Sequence, residues 1–429
     1  MSEPSWILRC VRCATDFPGL ALRYRCDCGG TLDVIHDLDA LRGRLSLATF
    51  DARRGGGEPM DRSGVWRFRE LIFPAAELPD CVVTRGEGST WLYEVPGLAR
   101  WVGLDRLRLK HEGENPTGSF KDRGMTAGVT AARKLGMTRV ACASTGNTSA
   151  SMASYAAIAG MEATVFIPDG EIAYGKLSQA LAYGARVIQI SGDFDDAMAL
   201  VQQVCDAEGI YLLNSVNPFR IEGQKAIGFE LLQDLGWAIP DWIVLPGGNL
   251  GNNTAIAKGL LELRELGLIE RLPRIAVVQA AGANPLYSAF VRGGDVVPVP
   301  KAKTIASAIK IGDPVSWRKS QRGLRATDGV VTEVTDQQII DAKAHVDASG
   351  VGAEPASCAT VAGIKRLVSE GVIQPGETVC GILTGHVLKD PDAAVNYHRS
   401  ALADISSSHA NAPIQAPAEI GAILELLRG

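Results

Sequence analysis

Between residues 65 and 400 the chain alternates two kinds of pattern. RVACAST (139–145), EATVFIP (162–168), ARVIQIS (185–191), IYLLNSV (210–216), WIVLPGG (242–248), RIAVVQA (274–280) and TVCGILTG (378–385) are short, nearly continuous apolar runs. Runs of that length suit parallel strands buried on both faces. TSASMASYAAIAG, GKLSQALAYG, FDDAMALVQQVCDAEG and GLLELRELGLIERL lie between them and read as helices. Strand alternating with helix predicts an α/β protein with parallel-rich sheets. Ligands in such sheets bind outside the carboxyl ends of the strands, so the turns that follow the apolar runs are where chemistry is expected.

The two ends break this pattern. CVRCATDFPGLALRYRCDCGGTLDV sets Cys10 and Cys13 as a C-x-x-C pair and Cys26 and Cys28 as a C-x-C pair, with the β-like segment LALRYR between them. Two close cysteine pairs are how a zinc ribbon presents four thiolates to one tetrahedral Zn2+, although the second knuckle is one residue short of the usual spacing. An unmetallated ribbon that still packs as a small β unit is the alternative. Residues 51–64, DARRGGGEPMDRSG, read as a linker, SSSHANAPIQAPA as a flexible tail, and EIGAILELLRG as a short final helix.

Bulk properties narrow the partners. With 429 residues the chain is long enough for two or three domains. A net charge of −5 argues against a nucleic-acid or anionic-membrane binder. No run of 18 apolar residues suggests a membrane span, and MSEPSWILRCVRC has no apolar core of leader type. Cys81, Cys142, Cys205, Cys358 and Cys380 lie scattered among apolar neighbours and read as core residues, which fits a reducing cytoplasm.

Five segments carry candidate chemistry. ENPTGSFKDRG (114–124) surrounds Lys121 with small polar residues, either as a helix-entry turn or to hold a reactive amine. Ser144, Thr145, Asn147 and Thr148 follow an apolar run and precede a helix, which makes an anion cup or an ordinary cap cluster. Gly247, Gly248 and Gly251 in LPGGNLGNNTA let backbone amides approach a phosphate, with neither Walker nor dinucleotide spacing. In NSVNPFR, Asn214 and Ser215 end a strand and Arg220 offers a forked anion ligand or a solvated surface arginine. LTGHVLKDP places Thr384 at the end of the last run, with His386 read as a structural hydrogen-bonding residue. A lysine, a phosphate cradle and a second anion site together suit pyridoxal phosphate and a phosphorylated amino acid.

These motifs, with GKLSQALAYGA, TIASAIKIGDPVSW and EPASCATVAG in the same order, resemble the threonine synthases, pyridoxal-phosphate enzymes of the tryptophan-synthase-β fold type. The resemblance implies fold type II: a ribbon-like extension at 1–50, a large cofactor-binding domain at 65–107 and 215–404, a small mobile substrate domain at 108–214, and a tail at 405–429. It implies that Lys121 carries the cofactor aldehyde and that Asn147 bonds the ring hydroxyl. Gly248, Asn249, Leu250, Gly251 and Asn252 would hold the cofactor phosphate, and Thr384 the ring nitrogen. Ser144, Thr145 and Thr148 would bind the substrate carboxylate; Asn214, Ser215 and Arg220 would bind its phosphate. The implied reaction is O-phospho-L-homoserine plus water giving L-threonine plus phosphate, in a homodimer. Glu114 stands where relatives usually have an apolar residue and Val387 where glycine is usual. Competing readings are a cysteate-synthase-like enzyme acting on phosphoserine, a serine/threonine deaminase, and an inactive zinc-ribbon binding module.

Overall fold

The computed structural model describes residues 6–73, 80–168, 174–191 and 194–428. Residues 1–5 of the N-terminal stretch, and the side chains of Gly175 and Lys176 in the GKLSQALAYG motif, lie outside that description.

Three sheets organise the chain. The first is antiparallel, in the order β2-β1-β3, from β1 (Trp6–Cys10), β2 (Asp16–Pro18) and β3 (Leu32–His36). Later strands are β4 (Leu92–Glu94), β5 (Leu107–His111), β6 (Arg139–Ala143), β7 (Glu162–Pro168), β8 (Arg186–Ile190), β9 (Tyr211–Leu212), β10 (Trp242–Pro246), β11 (Arg274–Ala280), β12 (Val330–Val334) and β13 (Val379–Leu383). They form a six-stranded sheet β12-β11-β10-β13-β5-β4, in which only β4 runs antiparallel, and a wholly parallel sheet β8-β7-β6-β9. This is the fold type II expected, with its small N-terminal β unit.

The continuous apolar runs follow from burial on both faces. Ile243 and Leu245 of β10 join one core, shared with Leu8, Phe219 and Leu260, while Trp242 and Val244 join another with Leu109 and Ile364. Alternate side chains of a strand point to opposite faces, so both sets must be apolar. β9 is only two residues long because a side chain takes over its ladder. Asn214 accepts from the Ala143 amide at 2.9 Å and donates to the Ala143 carbonyl at 3.1 Å.

The structure corrects three expectations. The 51–64 segment is largely helical, with helices at Leu47–Arg54 and Pro59–Arg62. Ser46 caps the first, and Arg53 makes a two-pronged pair with Glu70 at 2.6 and 2.8 Å that fastens it down. LALRYR forms no strand: only Arg25 bridges, to Thr31. Gly19 packs against Trp6, where a Cβ would come within 2.7 Å of the Trp6 carbonyl oxygen, and bends the chain away from β1. β5 pairs with β13, so residues 108–111, grouped above with the small domain, belong to the six-stranded sheet.

Candidate active site

Lys121 is the first residue of the helix Lys121–Lys134. Its ammonium lies 4.3 Å from the centroid of the Phe120 ring, and the Phe120 amide donates to the Thr384 carbonyl at 3.0 Å. The lysine is therefore set directly against the carboxyl end of β13. Burial lowers its pKa to about 7, the nearby Arg220 adds to that, and Glu354 opposes it. An amine of this kind is substantially neutral near physiological pH, which an ordinary lysine is not.

The two residues after Lys121 fix the helix entry. Buried Asp122 accepts from the Thr117 amide at 2.7 Å and from the Thr117 and Ser151 hydroxyls, each at 2.5 Å. Arg123 forks onto Glu112 with two 2.6 Å bonds and reaches Glu230 at 2.8 Å. Glu230 also accepts from Lys110 at 2.7 Å, from the Ser89 and Thr90 amides, and from Arg67. Burial would raise the Glu230 pKa, but Arg123, Lys110 and Arg67 outweigh it and hold the carboxyl well below the ordinary range. Replacing Glu230 with alanine leaves three buried cations short of their carboxylate. We expect a loss of about 3–5 kcal/mol in unfolding free energy by urea titration, and a loss under 1 kcal/mol would refute this reading.

Two turns lie where anion sites were expected. The first joins β6 to the helix Asn147–Ala159, and Ser144, Thr145, Asn147 and Thr148 are all half-buried there. The second joins β10 to the helix Gly251–Glu265 through Leu250, whose φ is 62°. A left-handed residue ahead of a helix start is the backbone arrangement of an anion nest, and the first amides of any helix lack intrahelical acceptors. A Cβ at 248 would lie a tight 3.2 Å from the Ala308 carbonyl oxygen and the Ile309 Cα, so glycine keeps the turn close to that segment.

Several buried polar atoms around Lys121 have no hydrogen-bond partner among the described residues: Ser119 Oγ, Arg220 Nε, Gln224 Oε1 and both amide atoms of Asn252. Arg220 is the most telling. It is 2 % exposed, its Nη1 donates to the Leu213 carbonyl at 3.1 Å, and it has no carboxylate partner among the described residues. Burial pushes its pKa down to about 10, so it stays cationic at neutral pH. A buried guanidinium without its anion is costly, and a phosphate would complete it. Ser215 lies half-buried nearby in the chain, whereas the Asn214 amide is engaged by Ala143.

Thr384 is buried and its hydroxyl lies 3.0 Å from that of Ser357, which also accepts from the Gly385 amide at 2.8 Å. Glu354 caps the start of the helix Pro355–Ser369 and accepts from the Asn147 amide at 3.1 and 3.2 Å. Burial raises the Glu354 pKa, against the Asn147 bond and the charge of Lys389. Only glycine at 385 lets this carboxylate approach, since a Cβ there would fall 2.3 Å from Glu354 Oε1. His386 accepts from the Leu388 amide at 3.2 Å, the structural part expected of it. Glu114 is exposed and turned outward, to the Trp91 amide at 2.7 Å and the Tyr93 hydroxyl at 2.5 Å. Val387 begins a 3-10 turn and lacks a positive φ, so a side chain is tolerated where glycine is usual.

Sequence reasoning missed Ser119, Gln224, Glu354 and Ser357. Glu354 and Ser357 sat in the EPASCATVAG motif, and the signal that could have found them is the Glu-Pro pair opening a helix. At the other end of the chain, the sulfurs of Cys10, Cys13, Cys26 and Cys28 lie within 4.8 Å of one another. Hydrogen bonds from Thr15 hold the Cys13 thiol down to about 6, and a Cβ on Gly30 would sit 2.6 Å from Cys10 Sγ. This set fits a tetrahedral metal.

Comparison with known proteins places these features. Residues 83–385 match the family described as pyridoxal-phosphate dependent enzyme. The chain is 44% identical over 389 residues to threonine synthase of Methanocaldococcus jannaschii, covering 90% of this chain and 94% of that protein. It is 45% identical over 392 residues to threonine synthase of Methanosarcina acetivorans, covering 91% and 93%. The Escherichia coli threonine synthase structure superposes with a TM-score of 0.69 over 98% of this chain and 99% of that one, and at 19% identity this likeness bears on the fold alone.

Proposed function

The chain belongs to the threonine synthases, a family of pyridoxal-phosphate-dependent enzymes, and we propose that its Lys121 site converts O-phospho-L-homoserine and water to L-threonine and phosphate. The observation that carries this reading is the pairing of a pKa-depressed lysine with a buried, anion-less Arg220. A deaminase acting on unphosphorylated serine or threonine has no use for that arginine.

The residues present fit pyridoxal phosphate. The amides of Gly248, Asn249, Leu250, Gly251 and Asn252 would hold its phosphate, Asn147 its ring hydroxyl, and Thr384, backed by Ser357, its ring nitrogen. Bound there, the cofactor supplies an electron sink for carbanions at the substrate Cα and Cβ. Ser144, Thr145 and Thr148 take the substrate carboxylate. Arg220 and Ser215 hold the γ-phosphate, while Asn214 keeps the Ser144 turn in register through Ala143. Lys121 Nζ, neutral often enough at pH 7, takes the Cα proton. A Cβ proton leaves, phosphate departs with the Cγ–O electron pair, a proton returns to Cγ, and water adds its oxygen at Cβ and a proton at Cα. These steps balance to threonine and phosphate.

The unit that follows β5, residues 112–214, closes over the larger one and excludes water until phosphate has left. Two bonds that span the site support this: Lys389 donates to Gln179, and Asn147 to Glu354.

The test is phosphate release by cofactor-loaded protein from O-phospho-L-homoserine and O-phospho-L-serine side by side, with and without sulfite. Release from phosphohomoserine with matching threonine is expected. Release from phosphoserine only with sulfite would replace this reading with a cysteate-synthase-like one.

We also propose a homodimer in the cytoplasm. Cys142, Cys205, Cys358 and Cys380 are buried and unbridged, as in reduced proteins. The final helix Ile420–Arg428 leaves Ile420, Leu424 and Leu427 exposed for a second copy to cover. Light scattering should return twice the 45.5 kDa chain mass. A single-chain mass would contradict it.

A further inference from the structure

The N-terminal ribbon touches both walls of the phosphate site. On the side of the four-stranded sheet, the Tyr24 hydroxyl accepts from the Leu212 amide at 2.7 Å, and its ring meets Tyr211 with centroids 5.7 Å apart. β9 is the edge strand there, and the next carbonyl along, Leu213, is the one that Arg220 grips. On the other side, Trp6 of β1 packs on Phe219, the residue before Arg220, with centroids 5.3 Å apart. β3 adds charged anchors. His36 bonds Glu222 at 2.6 Å on the Arg220 helix, and Asp33 pairs with Lys319 at 2.9 Å on the helix Trp317–Ala326. The residues just before that helix hold the glycine turn, since the Ser316 amide donates to the Asn249 carbonyl at 3.2 Å.

The four cysteines tie these anchors together. Cys10 ends the strand that begins with Trp6, and Cys26 lies two residues after Tyr24. Sulfurs of opposite pairs stand 3.5 Å apart, Cys10 with Cys28 and Cys13 with Cys26. Tetrahedral zinc with bonds of about 2.3 Å requires roughly 3.8 Å between sulfurs, so little movement is needed to close the site. The Arg12 and Cys13 amides point at Cys10 Sγ at 3.4 and 3.5 Å, as donors to a thiolate do. LALRYR forms no strand, so the Tyr24 knuckle rests on few ladder bonds of its own. A metal would be its main tie to β1.

We propose that the ribbon is a metal-held strut that sets the substrate-phosphate site: Zn2+ on Cys10, Cys13, Cys26 and Cys28 fixes Tyr24 against β9 and Trp6 against Phe219, and so positions Arg220. Tyr24 is a positioning residue, 196 positions from the arginine it serves. The inference rests on reading Arg220 as the phosphate ligand, and binding of inorganic phosphate tests it without requiring turnover.

Purified full-length, cofactor-loaded protein should hold about one zinc per chain after dialysis, by elemental mass spectrometry. Cys13→Ser with Cys26→Ser should lose the zinc and bind inorganic phosphate about tenfold more weakly by calorimetry, with cofactor absorbance unchanged. Tyr24→Phe keeps all four thiols. It should retain zinc, weaken phosphate to a similar degree, and raise the KM for phosphohomoserine with kcat within about twofold. Protein that takes up no zinc, or a zinc-free or Tyr24→Phe form that binds phosphate like the parent, would overturn the proposal. Failure to form threonine while phosphate still binds in a zinc-dependent way would sink the catalytic reading alone.

Discussion

Lys121→Ala should fold, still bind inorganic phosphate at Arg220, and form threonine at least about 10⁴-fold more slowly than the parent. Two losses combine in that number. On this reading the cofactor aldehyde would lose its covalent partner, and the substrate Cα the amine placed against the carboxyl end of β13. Helix entry should survive, because Asp122 and Arg123, rather than Lys121, hold that turn to Ser151 and Glu112. Stopped-flow absorbance and threonine analysis measure both halves. Retention of more than a hundredth of the parent rate would contradict the assignment. The same lysine carries a pH signature. Its pKa is lowered to about 7, so capture of free pyridoxal phosphate by cofactor-stripped protein should be level above pH 7 and fall about tenfold per unit below it. An unperturbed lysine would instead keep gaining rate up to about pH 10.

Arg220→Met is expected to cut kcat/KM for O-phospho-L-homoserine by roughly 10³-fold or more, mostly through KM, and to abolish inhibition by inorganic phosphate. Burial is what makes this arginine selective. A solvated guanidinium exchanges water for phosphate at small net gain, whereas this one is buried and its Nε has no partner among the described residues, so an anion would complete it. The variant should also move Lys121. Arg220 is the second cause of its depressed pKa, so removing that charge raises the lysine pKa and shifts the acid limb of cofactor capture above pH 7. Unchanged KM together with an unchanged acid limb would remove Arg220 from the site.

Much of this architecture was legible because burial on both faces of a parallel strand forces continuous apolar runs, as in WIVLPGG and RIAVVQA. The weaker strands escaped notice for the same reason. β5 carries Arg108, Lys110 and His111, and Lys110 is buried only because Glu230 and Asp234 meet it at 2.7 and 2.6 Å. Such a strand looks polar until its partners arrive from more than a hundred residues away. The 51–64 helices were hidden likewise, since glycines and arginines read as a linker unless Glu70 is known to face Arg53. Within the candidate site, the glycine turn and Thr384 stood out as punctuation at strand ends, and Lys121 by its small polar neighbours. Glu354 and Ser357 offered only a Glu-Pro pair opening a helix, and Gln224, inside a helix, gave no local sign of where its side chain lies.

The most direct measurement is to run the reaction on O-phospho-L-homoserine in water enriched in oxygen-18 and weigh both products. Cleavage at Cγ–O followed by addition of water at Cβ predicts label in the threonine hydroxyl and unlabelled phosphate. Labelled phosphate beside unlabelled homoserine would mean cleavage at phosphorus, and would contradict the chemistry assigned to Lys121.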